Sequence, residues 1–189
     1  MKTLKTINKL ILLFLLGSMT GCGTAINPKA ITEKDYLLKF YDTVNDRFGY
    51  VNLKGDTTIP PGKYAMCFTD TFITYAIVVK SNIDFIAIDR KENVLYKVFT
   101  FDNGPDYPSD GLFRIIENGK IGYADSMTGK VVIKPQFDCA WSFENGVAEV
   151  SNDCKTQSDG EHSIWLSDHW FYIDKTGKKV EKEKTTIPI

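Results

Sequence analysis

The sequence predicts an all-β fold of tandem antiparallel β-meander repeats that form an open, curved array after an N-terminal signal helix. Three observations predict it. Short runs of aromatic and β-branched residues alternate with Gly, Asn and Asp turn signals roughly every ten positions. Two Asn-Gly pairs, Asn118-Gly119 and Asn145-Gly146, mark tight hairpins, because both central positions of a type I′ turn need positive φ. The stretch 110–150 that holds these pairs has weaker copies on both sides.

Within that stretch, Leu112 to Glu117, Lys120 to Asp125 and Lys130 to Ile133 read as successive strands. The turn Asp125-Ser126-Met127-Thr128-Gly129 joins the second to the third, with Asp able to bond its own backbone and Gly supplying a left-handed position. Pro135 cannot donate to a ladder and is expected to end the third strand. Phe137 to Phe143 is expected as a fourth extended piece before Asn145-Gly146.

Aligning the polar residue that closes each second strand reveals the copies: Asn52 after Phe48-Gly49-Tyr50-Val51, Asp89 after Phe85-Ile86-Ala87-Ile88, Asp125 after Ile121-Gly122-Tyr123-Ala124, and Asp174 after Trp170-Phe171-Tyr172-Ile173. The intervals are 37, 36 and 49 residues, so the last copy holds an insertion. Periods of this size mean units that bury their apolar faces against neighbours. The copies run approximately over 35–70, 71–110, 111–146 and 147–184, with the insertion near 155–168.

Gly119-Lys120-Ile121-Gly122-Tyr123-Ala124-Asp125 and the segment that follows it resemble the WG-type β repeat of bacterial proteins, roughly G-K-W-G-Y-I-D-x-x-G-x-x-V-I-x-P-x-F-x-x-A-x-x-F-x-x-G-x-A-x-V. The match is close over 118–150, recognisable at 46–79 and 169–178, and poor at 82–101, where Ile86 replaces the Gly. The namesake Trp is Phe48, Phe85, Ile121 and Trp170 in the four copies. The resemblance implies a β array and carries no activity.

At the N-terminus, Lys2, Lys5 and Lys9 precede the apolar run Leu10 to Leu16, the pattern of a signal peptide over residues 1–21. It ends in Gly17-Ser18-Met19-Thr20-Gly21-Cys22, which resembles a bacterial lipobox, although Met19 departs from its usual pattern. The resemblance implies cleavage before Cys22 and lipidation of its thiol; a plain secretory signal is the alternative. Residues 22–34 then form a tether, and 35–189 the repeat domain. Lipid anchoring places the chain in the bacterial cell envelope, with the outer membrane favoured over the inner. Tyr36 to Asp42 reads as the opening strand of the first copy, with a short helix over the same region as the competing reading. The segment 99–110 reads as an irregular loop, and the charged tail Lys178 to Lys184 as an edge that discourages further strand addition.

Removing residues 1–21 takes away three lysines and no acids, leaving 20 basic against 24 acidic residues. That balance argues against nucleic acid, which needs a basic face. Of the remaining cysteines, Cys139 and Cys154 become diagonal neighbours across the Asn145-Gly146 hairpin and can form a disulfide; small buried thiols are the alternative. A simple two-residue turn would set Cys139 opposite Asn152. His162 and His169, with Cys154 and Asp168, match no metal-ligand spacing. Cys139 with His162 lacks a third orienting group for nucleophilic catalysis. The polar residues closing each second strand read as turn formers, and Phe113, Tyr123, Trp141 and Phe143 as core.

No catalytic residue, cofactor or metal is therefore expected. The chain reads as a non-enzymatic module that binds an envelope protein, peptide or glycan, with the membrane engaged through the N-terminal lipid. A divergent envelope hydrolase using a Cys/His or carboxylate site is the alternative. Within the insertion, Ile164, Trp165 and Leu166 stand out as partner-binding residues, because loops projecting from a rigid scaffold carry contacts and Trp favours hot spots. Folding of Trp165 back onto the array is the competing reading.

Overall fold

The structure, a computed structural model, describes residues 35–80, 84–160 and 162–181, without the side chains of Asp159 and His162. The signal segment, Cys22 and the 22–34 tether lie outside the described residues. No α-helix occurs among the described residues. The first copy holds β1 (Leu37–Asp42), β2 (Arg47–Asn52) and β3 (Thr57–Ile59), followed by β4 (Met66–Cys67) and β5 (Thr71–Phe72). The second holds β6 (Tyr75–Val79), β7 (Phe85–Asp89) and β8 (Val94–Val98), then the small hairpin of β9 (Thr100–Phe101) and β10 (Gly104–Pro105). The third holds β11 (Leu112–Glu117), β12 (Lys120–Asp125) and β13 (Val131–Phe137), followed by β14 (Cys139–Ala140). The fourth starts at β15 (Val147–Ser151), is interrupted by β16 (Lys155–Asp159) and β17 (His162–Leu166), and resumes with β18 (Phe171–Asp174) and β19 (Lys179–Val180).

Each copy is thus an antiparallel three-strand meander, and short strands tie neighbours together. The sheets run β3-β2-β1-β5, then β13-β12-β11-β8-β7-β6-β4, then β14-β15-β18-β19. β4 leaves the first copy to pair with β6, and β14 leaves the third to pair with β15. β8 and β11 fuse the second and third copies directly. Among the described residues, strands of the first and last meanders share no sheet, and the array is open.

Turn chemistry fixes the meanders locally. Asn118 and Gly119 have φ of 51° and 75°, Asn145 and Gly146 of 53° and 85°, the left-handed pair a type I′ turn needs. The residues closing each second strand fold their own turns. The side-chain oxygens of Asn52, Asp89, Asp125 and Asp174 accept backbone N–H groups of Lys54, Lys91, Thr128 and Thr176 at 2.7–2.9 Å. Hydrogen bonds from Asn93, Thr128 and Thr176 hold the carboxyls of Asp89, Asp125 and Asp174 below the usual carboxylate range. These side chains act as turn formers.

Two glycines shape the fold beyond turns. A Cβ on Gly122 would lie 2.4 Å from the Ile133 carbonyl oxygen and 2.5 Å from Pro135 N; one on Gly49 would meet Ile59 O at 2.6 Å and Pro61 N at 2.9 Å. The missing side chain lets the third strand fold tightly over the second. Pro135 does not end β13, as the sequence suggested: the strand continues to Phe137. Tyr123 pairs with Ile133 and Ile121 with Phe137, so Gly122 faces the three residues between them in a bulge. A bulge is where a strand tolerates a residue with no N–H.

The seven-stranded sheet curls on itself. Tyr75 on β6 stands four places from β12 in strand order, yet its hydroxyl donates to Ser126 O at 2.8 Å, and Tyr96 donates to Gly129 O at 2.6 Å. The rings of Tyr75 and Phe113 stack between them, 6.0 Å apart. Strands in this sheet are buried on both faces: Phe85 and Ala87 pack with Phe113 and Ile115, whereas Ile86 and Ile88 pack with Tyr50 and Phe72 of the first copy. A third cluster gathers Ile121, Tyr123, Phe137, Phe143, Val150 and Ile173 where the third and fourth copies meet. That junction also holds an open cleft.

Candidate binding cleft

After β14 the chain leaves the ladder. Cys139 pairs with Ser151 and Ala140 with Val150, whereas Glu144 bridges Val147. Three residues, Trp141 to Phe143, therefore oppose only Ala148 and Glu149, so the simple register with Cys139 opposite Asn152 is corrected by one. The expected fourth extended piece shrinks to Cys139–Ala140. The bulge swings Trp141 outward: it is 46% exposed, against the core position expected for it, while Phe143, Tyr123 and Phe113 are buried. Hydrogen bonds fix the bulge. Trp141 N donates to Glu149 O at 2.9 Å, Tyr123 Oη donates to Trp141 O at 2.6 Å, and Ser109 Oγ donates to Phe143 O at 2.6 Å. Burial raises the Tyr123 phenol well above its ordinary range, so it remains a donor.

Trp141 forms one wall of an open cleft of about 1360 Å³, with Phe101 on the β9–β10 hairpin as another and the β15–β18–β19 sheet, through Val147, Glu149, Tyr172 and Val180, as a third. Glu144, Asp174 and Glu181 complete an acidic rim. Arg114 reaches the floor, where it is buried with Asp106. Asp106 Oδ2 accepts from the Arg114 backbone N at 2.7 Å and from Nε at 3.1 Å, Oδ1 accepts from Nη2, and Nη1 donates to Ala140 O at 3.2 Å. The guanidinium carbon also lies 4.1 Å from the Phe99 ring centre and 5.5 Å from that of Phe101. A buried ion pair offsets its desolvation only when such extra bonds are made. Its role is to tie the 99–110 segment to β11 and hold Phe101 over the cleft. The sequence does carry a signal for it: Arg114 sits inside the apolar run Leu112-Phe113-Arg114-Ile115-Ile116 and demands a buried acid.

The insertion forms a hairpin closed by the Asp159↔His162 pair. Its apolar row divides by strand alternation. Trp165 turns inward, with its ring 5.0 Å from Trp141 and 5.8 Å from Phe99, whereas Ile164 and Leu166 stay 44% and 47% exposed. Trp165 thus braces the cleft wall from behind. The base of the hairpin is stapled twice. Cys139 and Cys154 form a disulfide with Cα atoms 5.7 Å apart, which removes both thiols from nucleophilic or metal chemistry. Asp153 accepts the hydroxyls of Ser151 and Ser167 at 2.8 and 2.7 Å and pairs with His169 Nδ1. These bonds, Ser167 first, hold the Asp153 carboxyl at about 2. His169 is thereby engaged in closing a loop, and the described residues contain no cluster suited to a metal ion. Cys67, the remaining described cysteine, is a buried thiol whose pKa burial pushes up.

Residues 121–155, from β12 through β15 to the start of β16, match the family model described as WG containing repeat. No curated protein matches the chain. The matched segment spans the Gly122 bulge, the Trp141 wall and the Asn145-Gly146 turn, and the same meander recurs on either side of it. The chain thus contains a WG-type β repeat over residues 121–155.

Proposed function

We propose that this is a non-enzymatic binding module of the bacterial cell envelope, held at the membrane by a lipid on Cys22, which presents the cleft between its third and fourth copies to an envelope partner. The observation that carries this reading is the pair of half-exposed aromatic walls, Trp141 at 46% and Phe101 at 48%, set around a concavity. Exposed apolar groups gathered at a concave site mark binding surfaces, whereas scattered ones do not. The Gly17 to Cys22 motif supplies the anchor in this reading. A hydrolase using Cys139 is disfavoured because that sulfur is bonded to Cys154.

Capture from solubilised envelope tests the reading. The wild-type chain should retain a defined component that Trp141→Ala loses, while Cys22→Ser should shift the protein from the detergent to the aqueous phase of Triton X-114. Identical capture by both chains contradicts the cleft, and unchanged partitioning contradicts the anchor.

A further inference from the structure

We propose that the cleft takes a cationic side chain, lysine or arginine, presented by a basic peptide segment of the partner, with Trp141 as the π face and Glu144 and Glu149 as the counter-charges. This rests on the binding-module reading and gives its ligand a chemistry. The lining holds four carboxylates, Glu144, Glu149, Asp174 and Glu181, and a single cation, Arg114. Arg114 is already neutralised by Asp106 at close range. Asp174 is committed to its own turn, accepting from Thr176 and Lys178. Glu144 and Glu149 have no ion-pair partner among the described residues.

Hydrogen-bonding capacity points the same way. The Arg114 guanidinium already serves Asp106 and Ala140 O, and the Ser109 hydroxyl donates to Phe143 O. The carboxylates of the lining add acceptors that its single cation, already engaged, does not match. A neutral glycan needs both donors and acceptors; an ammonium or guanidinium brings donors only. Trp is the strongest cation–π partner among the aromatic side chains; here the Tyr123 bond fixes its backbone carbonyl, and the Trp165 and Trp170 rings lie 5.0 and 6.4 Å from its own. The floor displays the same chemistry within the chain, with a guanidinium set on Phe99 and Phe101 and matched by a carboxylate. Rigid placement of both wall and charges lowers the entropy cost of binding.

Fluorescein-labelled pentalysine, titrated by anisotropy against the purified chain, tests this. The wild type should bind, and Glu144→Gln with Glu149→Gln should weaken binding at least tenfold. Trp141→Ala should weaken it severalfold and Trp141→Phe should restore most of it. A charge-matched control outside the lining, Asp46→Asn with Glu117→Gln, should leave binding within about twofold. Thermal melts and near-ultraviolet circular dichroism check that each variant folds. Equal loss from the control pair, or undiminished binding by the Glu144/Glu149 pair, overturns the proposal. Binding of chitotetraose that Trp141→Ala abolishes, without binding of pentalysine, keeps the cleft as a site and overturns its assigned ligand. If neither probe binds and envelope capture ignores Trp141→Ala, the cleft reading fails as well.

Discussion

The second and third copies are the same meander with different fates. The third carries Gly122 and Pro135; the second has Ile86 at the glycine position and no proline in its third strand. With the glycine, β13 folds tightly over β12, bulges, and sends β14 into the next sheet. Without it, Ile86 pairs with Lys97 and Ala87 with Tyr96, the register shifts only before Ile88, and the other edge of β8 pairs with β11. Both copies share the seven-stranded sheet, and the copy that departs furthest from the repeat pattern is the one whose third strand pairs directly with the next copy. The copy that keeps the pattern delivers its chain to the junction where the cleft opens. Loss of a motif residue here changes what a unit is joined to, and the unit itself survives.

The joint between the two copies should be the most sensitive place to cut. Asp106→Ala strands the Arg114 guanidinium in the core, and breaking one partner of a buried pair costs about 3–5 kcal/mol. Chemical denaturation should report a drop of that size, whereas a loss under 1 kcal/mol would mean that water already screens the pair. Gly122→Ala comes next. Its methyl meets backbone atoms at 2.4 and 2.5 Å, which cannot swing away, so the cost should reach the upper end of overpacking, about 3 kcal/mol. Ile86→Val at the matching position of the second copy should cost about 1 kcal/mol. Equal effects at the two sites would break the contrast drawn between them.

Replacing both Cys139 and Cys154 by Ser opens a loop with a sequence separation of 15 residues. In the chain-entropy picture this costs about 3 kcal/mol. Hydrogen exchange should rise first in 155–166 and leave β6–β8 protected. The smallest effect is a response to acid at the same hairpin. Asp153 is held at about 2, below its unfolded range near 4, so its clasp is in full force above about pH 4 and is lost as the pH falls through 2. Protection of 155–166 should fall between pH 5 and pH 2.5 in the wild type and lose this dependence in Asp153→Asn.

Much of the array was legible from residues whose signals are local. The strands Leu112–Glu117 and Lys120–Asp125 and the Asn-Gly turns follow from φ requirements and alternation that a sequence displays directly. What escaped depends on distant partners. Pro135 looked like a stop because its missing N–H is a local fact, whereas the bulge that tolerates it depends on Gly122 thirteen residues earlier. Trp141 looked like core because aromatic residues in strands usually are, whereas one extra residue in the bulge turned it outward. Arg114 and Asp106 lie on a strand and in a loop that reads as irregular, so their pairing emerges only once the β9–β10 hairpin folds over β11. The insertion was legible as a hairpin, but which of its apolar residues faced the array was fixed by register at its stapled base.

Photo-cross-linking in the intact envelope tests most directly whether the third copy, and not the second, presents the binding surface. p-Benzoylphenylalanine replaces Trp141 in one chain and Leu95, 44% exposed on β8 of the second copy, in another. A discrete adduct is expected from position 141 and none from position 95. An adduct from position 95 with none from 141 would contradict that expectation.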